Sequence, residues 1–250
     1  MTLIASDGCL SKFAQALQQT GTDTLLLSNQ TYTVWAPTDQ ALAELDLTDL
    51  TAVRRLVSNH IARFSNPTST TGRIQMLNGK TMQYTDAKTF NGASIAKGNI
   101  SAENGLLHKL SAQIPYKYNI RELMDADERF SEVSAFVARF DEKVYDERHS
   151  TSYDSVFVDY NPLLEHAKYG IGDIADEDSL FTMILPADVA WQAELERVAP
   201  AFTAYNTNEQ AADSIRLTQA GQAILGGLTF RGILNEEADS LTTVTGQVIK

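Results

Sequence analysis

Residues 32–42 read Tyr-Thr-Val-Trp-Ala-Pro-Thr-Asp-Gln-Ala-Leu, and this stretch decides the fold. Residues 32–36 are rich in branched and aromatic side chains, which predicts a short strand. Pro37 ends that strand because proline has no amide to donate to a sheet ladder. Thr38 is a residue type that caps helices, and the apolar spacing behind it predicts a helix over 38–45.

Apolar residues at helical spacing lie on both sides of this stretch. They predict a helix over 10–20 that opens the domain, with Cys9 as a small buried residue beside it. Residues 50–64 repeat the pattern and are predicted to be helical as well. His60 then falls on the apolar face of this helix, which favours a core histidine that is hydrogen-bonded to nearby backbone.

Beyond residue 66 the pattern changes to alternation interrupted by turns. Three Asn-Gly pairs follow one another, at Asn78-Gly79, Asn91-Gly92 and Asn104-Gly105. Such a pair between alternating runs predicts a hairpin, since both residues tolerate positive φ. The later part of the first 117 residues is therefore predicted to be β-sheet, with His108 on its closing strand.

The second half of the chain repeats the first. Residues 33–41 match 182–190 at Thr, Pro, Asp and Ala with one constant offset, and 77–80 match 244–247 at Gly. The order of elements is the same in both halves. The repeat predicts two units, residues 1–117 and 118–250, with an insertion at about 141–180 in the second.

Composition excludes several classes of protein. The formal net charge is -12, from 32 acidic and 20 basic residues, which argues against nucleic acid as a partner. Cys9 is the single cysteine, so neither an intramolecular disulfide nor a cysteine-based zinc site is expected. Apolar runs stay far below the length of a transmembrane helix, so any membrane anchor is expected outside these residues.

Residues 32–42 resemble the first signature box of fasciclin (FAS1) domains, in which an aromatic or apolar residue precedes Thr-Val-Phe-Ala-Pro-Thr and Asn or Asp. Residues 56–61 resemble the second box, which closes on a histidine. In 118–250 the likeness is confined to Phe181–Trp191, and Arg231-Gly232-Ile233 stands where Asn59-His60-Ile61 would be. The whole is similar to tandem fasciclin-like surface lipoproteins of gut bacteria.

The resemblance implies an α+β fold, with a β-sandwich wedge and helices along one edge in each of two tandem units. The second unit would be divergent and incomplete at its C-terminus, without strands corresponding to residues 91–110. The family motif carries over as structural positions, namely Thr33, Pro37, Thr38, Asp39, His60, Asn78, Gly79, His108, Thr182, Pro186 and Asp188. Asn59 replaces the tyrosine of an adhesion motif in animal members, so binding by that route is not expected.

No enzyme, cofactor or metal constellation is predicted, because recognised nucleophile, phosphate-loop and metal-ligand spacings are absent from the sequence. The resemblance implies an extracellular or cell-surface adhesion or protein-interaction module, anchored to an outer membrane. The alternative is a carbohydrate-binding module that assists glycan capture at a bacterial surface. Aromatic residues of the insertion could form its ligand face, namely Tyr145, Tyr153, Phe157 and Tyr160. Covering the core of the second unit is an equally open role for them.

Overall fold

The computed structural model describes residues 2–145, 147, 157–166, 170–177, 179–205, 208–234 and 240–249. The chain divides into two units, which we call unit 1 (Met1–Lys117) and unit 2 (Tyr118–Lys250).

Unit 1 combines short helices with a sheet. Its helices are α1 (Thr2–Ala5), α2 (Ser11–Gln19), α3 (Thr22–Leu26) and α4 (Leu50–Asn59). Its strands are β1 (Tyr32–Pro37), β2 (Ile61–Arg63), β3 (Ile74–Gln75), β4 (Thr81–Met82), β5 (Tyr84–Asp86), β6 (Thr89–Phe90), β7 (Ala93–Ala102) and β8 (Gly105–Leu110).

Strand β1 lies inside a six-stranded sheet with the order β2-β1-β8-β7-β6-β5. It pairs antiparallel with β2 on one edge and parallel with β8 on the other. Every residue of β1 is buried. One face of the strand packs against an apolar cluster that includes the helices, and the other face packs against a separate apolar cluster. Val34 belongs to the first cluster and Trp35 to the second. The branched and aromatic composition of this strand fits burial on both faces.

Three features of unit 1 differ from the sequence-based expectations. Residues 38–45 form turns and no helix, and α4 ends at Asn59. His60 caps α4 and residues 61–63 form a strand, so the predicted helix over 50–64 is too long. Cys9 is exposed. The helix over 38–45 fails because the chain turns again at once, where Asp46 accepts the Thr48 amide at 2.8 Å.

Unit 2 has more helix and less sheet. Its helices are α5 (Ile120–Ala126), α6 (Ser131–Ala138), α7 (Pro162–Glu165), α8 (Asp188–Val198) and α9 (Glu209–Leu228), with 3-10 turns at Glu128–Phe130 and Ala199–Ala201. Its strands are β9 (Glu142–Tyr145), β10 (Phe157–Tyr160), β11 (Phe181–Met183), β12 (Thr229–Arg231), β13 (Leu241–Thr242) and β14 (Val248–Ile249). Strands β9 and β10, β11 and β12, and β13 and β14 form three antiparallel pairs.

The two units repeat the same hydrogen bonds around β1 and β11. Thr33 lies opposite Ala62, and Thr182 lies opposite Phe230. The hydroxyl of Thr33 donates to the Phe64 carbonyl oxygen, and that of Thr182 donates to the Gly232 carbonyl oxygen, both at 2.8 Å.

The helix before each strand is held in the same way. The carboxylate of Asp39 accepts the Ser11 hydroxyl at 2.5 Å and the Lys12 amide at 2.8 Å. Asp188 accepts the Ser131 hydroxyl at 2.6 Å and the Glu132 amide at 2.9 Å. Each aspartate therefore supplies an acceptor to the first turn of a helix that lacks a side-chain cap of its own.

This register corrects one assignment made from the sequence. Trp35 donates its amide to the His60 carbonyl oxygen, and Ile184 donates its amide to the Leu228 carbonyl oxygen, both at 2.9 Å. Leu228 therefore takes the place of His60, and Gly227 that of Asn59. Arg231-Gly232-Ile233 lies further along, because α8 and α9 lengthen the connection between the paired strands of unit 2.

Candidate functional site

Two buried histidines organise unit 1, and the first is His60 at the end of α4. Its Nδ1 lies 2.7 Å from the Leu56 carbonyl oxygen, which can only accept, so Nδ1 carries the proton. Its Nε2 accepts the Ile114 amide at 3.0 Å. Asn59 donates from Nδ2 to the Ile114 carbonyl oxygen at 3.3 Å. Both backbone groups of Ile114 are thus tied to the end of α4.

The His60 ring has no exposed surface, and its charge state follows from that. Burial lowers the pKa of His60 to about 4, although the hydrogen bond to Leu56 opposes this change. A neutral ring is required here because Nε2 must remain an acceptor for the Ile114 amide. His60 is therefore a neutral structural group at physiological pH.

We expect unit 1 to lose stability as the pH falls from about 6.5 to 4. In the unfolded chain His60 has its ordinary pKa of about 6.5, so the unfolded state binds a proton in this window that the folded state does not bind. The free energy of unfolding falls by roughly 3 kcal/mol over the window. Hydrogen exchange of the β1 and β8 amides at several pH values measures it.

Two variants separate His60 from other acid-sensitive groups. In His60→Gln the unfolding free energy of unit 1 is expected to depend less steeply on pH between 6.5 and 4. His166→Gln, which changes an exposed histidine of unit 2, is expected to leave the unit 1 profile unchanged. Equal slopes for the parent and His60→Gln would contradict the role given to the His60 ring.

The second buried histidine, His108 on β8, belongs to an aromatic cluster. Its ring stacks on Trp35 with centroids 5.5 Å apart, and Trp35 stacks on Phe90 at 4.2 Å. The Nδ1 of His108 accepts the Asn99 amide at 3.1 Å, and its Nε2 lies 3.1 Å from the Asn66 carbonyl oxygen. Every ring nitrogen is therefore committed to the backbone.

Tyr84 completes this cluster. Its hydroxyl donates to the Asn66 carbonyl oxygen at 2.8 Å and accepts Trp35 Nε1 at 3.2 Å. Burial raises the pKa of Tyr84 to about 12, against the opposing effect of the Trp35 hydrogen bond. Burial also lowers the pKa of His108, while its hydrogen bond with Asn66 acts in the other direction. Both groups are neutral at pH 7, and their hydrogen bonds to Asn66, Asn99 and Trp35 stabilise the sheet.

The remaining motif residues also make structural contacts. Thr38 donates its amide to the Leu110 carbonyl oxygen at 3.0 Å, just after the buried Pro37. Burial raises the pKa of Asp39, but the hydrogen bonds from Ser11 and Lys12 outweigh this and leave it below its usual value. Asn78 and Gly79 form the β3–β4 turn, where Gly79 has a φ of +84°. In unit 2, Pro186 is half-buried and lies between β11 and α8.

An exposed aromatic pair lies on the β9–β10 hairpin of unit 2. Tyr145 and Phe157 are opposite one another in the register, with ring centroids 5.8 Å apart in an edge-to-face arrangement. They are 50% and 56% exposed. Lys143 and Asp159 form an ion pair two residues away, on the same face of the hairpin by alternation.

The expected ligand face of four aromatics is only partly formed. Tyr145 and Phe157 lie together, but Tyr160 is half-buried and falls on the opposite face of β10 from Phe157. Tyr160 therefore does not lie beside the Tyr145–Phe157 pair, because an odd number of residue steps separates it from Phe157 along the strand. Tyr153 lies outside the described residues.

One exposed aromatic was missed by the sequence reasoning. Phe64 is 70% exposed and has a φ of +67°, a left-handed conformation that is unusual for a bulky residue. Its amide donates to the Thr31 carbonyl oxygen at 2.8 Å, which holds it at the end of β2. The helix predicted over 50–64 concealed it, since the apolar spacing continues through Phe64.

Across the described ranges, no cluster of three or more His, Cys, Asp or Glu side chains is arranged to hold a metal ion. None of the described helices is both long and apolar enough to span a lipid bilayer.

The fold and the two histidine networks define unit 1 as an α+β domain whose motif residues brace strand β1. Residues 8–114 match the family model described as "Fasciclin domain". This match spans almost all of unit 1. The resemblance drawn from residues 32–42 and the α+β fold expected from it are confirmed.

Solved structures similar to this chain include a FAS1 domain pair from the insect cell adhesion molecule fasciclin I. The two are 13% identical, and the match covers 96% of this chain and 82% of that chain, with a TM-score of 0.35. No curated protein matches the chain.

Proposed function

We propose that this chain is a cell-surface adhesion and protein-interaction module without catalytic activity. The match of residues 8–114 to the fasciclin domain carries the proposal. The structural role of His60 and His108 supports the absence of catalytic activity in this proposal, because both rings are buried and hydrogen-bonded to backbone groups. A general base or a nucleophile activator needs a ring nitrogen that can reach a substrate.

Unit 2 is, in this proposal, a diverged fasciclin repeat with an inserted hairpin. The Thr33 and Thr182 hydrogen bonds support the relation, as do the Asp39 and Asp188 contacts with a preceding helix. The β3–β4 and β13–β14 hairpins add to it, since their turns have the same bond, from Gly79 to Met76 and from Gly246 to Thr243.

The β9–β10 hairpin is the contact surface that we assign to a partner. Tyr145 and Phe157 present two adjacent exposed rings, and aromatic side chains are enriched where proteins bind other proteins. Unit 2 also carries the negative charge of the chain. Residues 118–250 contain 24 Asp and Glu against 10 Lys and Arg, whereas residues 1–117 contain 8 and 10. A partner with a basic surface fits this hairpin best.

A binding assay with two matched variants tests this assignment. The purified chain is expected to bind immobilised surface or matrix proteins, and Tyr145→Ser with Phe157→Ser is expected to weaken binding at least tenfold. Tyr205→Ser changes an aromatic residue that is 79% exposed outside the hairpin, so it should leave affinity unchanged. Unaltered binding by the hairpin variant would contradict the assigned surface, and no binding by the parent would contradict the function.

The second candidate is a carbohydrate-binding module, and the same two rings favour it. Aromatic faces stack on sugars as well as on protein side chains. A glycan array run with the parent and the hairpin variant separates the two functions. Glycan binding that depends on Tyr145 and Phe157, without protein binding, would replace the leading proposal.

Location at the cell surface, with an anchor to an outer membrane, belongs to the same proposal. The resemblance of the sequence to fasciclin-like surface lipoproteins supports it, together with the match of residues 8–114 to the fasciclin domain. Protease treatment of intact cells that express the protein tests it. Digestion of the chain without cell lysis is the expected result, and full protection would contradict a surface location.

A further inference from the structure

Three asparagines of unit 1 directly precede a glycine, namely Asn78, Asn91 and Asn104. An asparagine in this position can lose its side-chain amide spontaneously, because glycine has no Cβ to hinder the approach of its nitrogen to the asparagine Cγ. The reaction needs a side chain that can turn toward the main chain, and a glycine nitrogen that is free to attack. The three sites differ in both requirements.

Asn78 is held by hydrogen bonds on both sides of the reaction. It donates from Nδ2 to the Asn59 side-chain oxygen at 3.0 Å, and its Oδ1 accepts the Lys80 amide at 3.1 Å. The nitrogen that would attack it, that of Gly79, donates to the Met76 carbonyl oxygen at 3.0 Å. Closure of a ring at Asn78 would disrupt these bonds.

Asn104 is restrained as well. Its Nδ2 donates to the Leu26 carbonyl oxygen at 2.8 Å and lies 3.4 Å from that of Ser28. Gly105 is packed so closely on β1 that an added Cβ would lie 1.8 Å from the Tyr32 carbonyl oxygen. The main chain at Gly105 therefore has little room to move toward Cγ of Asn104.

Asn91 has neither restraint. It lies with Gly92 in the two-residue turn between β6 and β7, where the two residues have φ values of +46° and +86°. Among the described residues, neither the Asn91 side chain nor the Gly92 amide has a hydrogen-bond partner. Asn91 is half-buried and Gly92 is exposed, so water reaches the turn. Asn91 therefore meets both requirements of the reaction.

We propose that Asn91 is a modification site, at which the protein deamidates without an enzyme and forms isoaspartate. The Gly92 nitrogen bonds to Cγ of Asn91, the Cγ–Nδ2 bond breaks, and the Gly92 amide proton leaves with Nδ2 as ammonia. Water then opens the resulting cyclic imide. Addition of water at the main-chain carbonyl carbon gives isoaspartate, and addition at Cγ gives aspartate. No group is oxidised or reduced.

Isoaspartate at this position alters the turn. The main chain then runs through Cβ and Cγ, which lengthens a loop whose length is matched to the twist of the paired strands. Phe90 and Ala93, on either side of the turn, lie opposite one another and are buried. Phe90 also stacks on Trp35 with ring centroids 4.2 Å apart. The modification therefore loosens the β6–β7 pairing beside the aromatic cluster of unit 1.

Ageing of the full chain in mildly alkaline buffer, followed by peptide mapping, tests the proposal. Cleavage after Lys and Arg places the three asparagines on separate peptides, residues 74–80, 89–97 and 98–109. Asn91 is expected to convert at least tenfold faster than Asn78 or Asn104, because it has no side-chain hydrogen bonds to lose. In the chain unfolded by urea the three are expected to convert at similar rates, since each precedes a glycine.

Two results of this mapping would overturn the proposal. The first is conversion of Asn91 in the folded chain that is no faster than conversion of Asn78 and Asn104. The second is an advantage of Asn91 that persists in urea, since the local sequence and not the folded turn would then be its cause.

Asn91→Gly is the matched variant, because a Gly-Gly pair accepts positive φ at both positions and has no side-chain amide. The aged parent is expected to be labelled by an isoaspartate-specific methyltransferase at residue 91. Its β6 and β7 amides next to the turn are expected to exchange hydrogen at least tenfold faster than in fresh protein. Aged Asn91→Gly should show neither change. Unaltered exchange in parent protein that has converted at Asn91 would overturn the effect on the β6–β7 pairing.

Discussion

Trp35→Ala is expected to lower the free energy of unfolding of unit 1 by about 3–5 kcal/mol, the range for truncating a large buried aromatic. The side chain has no exposed surface and stacks between Phe90 and His108. Its loss leaves a cavity, and the Tyr84 hydroxyl loses the Trp35 Nε1 donor. Urea denaturation followed by unit 1 amide exchange measures the change.

Ile184→Ala is the matched control, because Ile184 holds the place of Trp35 in unit 2. It is 53% exposed, so its truncation is expected to cost less than about 1 kcal/mol. Comparable losses in the two units would mean that Ile184 is covered as thoroughly as Trp35, contrary to the structure.

Gly105→Ala is expected to lower the stability of unit 1 by about 3 kcal/mol or more. A Cβ at this position would lie 1.8 Å from the carbonyl oxygen of Tyr32 and 3.1 Å from its nitrogen. Both are backbone atoms of the paired strand β1, so the clash cannot be relieved by a side-chain rotation. Overpacking of this kind commonly costs 1–3 kcal/mol and sometimes more. A thermal unfolding curve measures the shift.

Gly8→Ala tests whether the effect belongs to the site or to glycine replacement in general. Gly8 is exposed, and an added Cβ would meet nothing within 4 Å. Its replacement is expected to leave the melting temperature within a degree or two, on the order of 0.5 kcal/mol or less. A similar loss for Gly8→Ala and Gly105→Ala would refute the steric explanation.

Local patterns in the sequence predicted what local chemistry determines. The strand at 32–36 follows from its branched and aromatic residues, and the turn at Asn78-Gly79 follows from the positive φ that Gly79 adopts. The helix over 10–20 appears as α2, Ser11–Gln19. Each of these depends on neighbours within a few residues.

Features that depend on distant partners could not be predicted in the same way. His60 has helical spacing in the sequence, yet its ring binds Ile114 and its carbonyl oxygen binds Trp35. The requirement for glycine at 105 comes from the backbone of Tyr32. The place of Tyr160 depends on where β10 begins, which residue spacing alone does not give.

The parallel pairing of β1 with β8 also sets the order of events when unit 1 folds. Tyr32 must meet Gly105, and Pro37 must meet Leu110, so β1 cannot be paired on both edges until residue 110 has been synthesised. Contacts of such large sequence separation slow folding, because the intervening chain must be ordered first. Unit 1 therefore completes its sheet only when nearly all of its own residues have been synthesised, and the β1 edge is available to other chains until then.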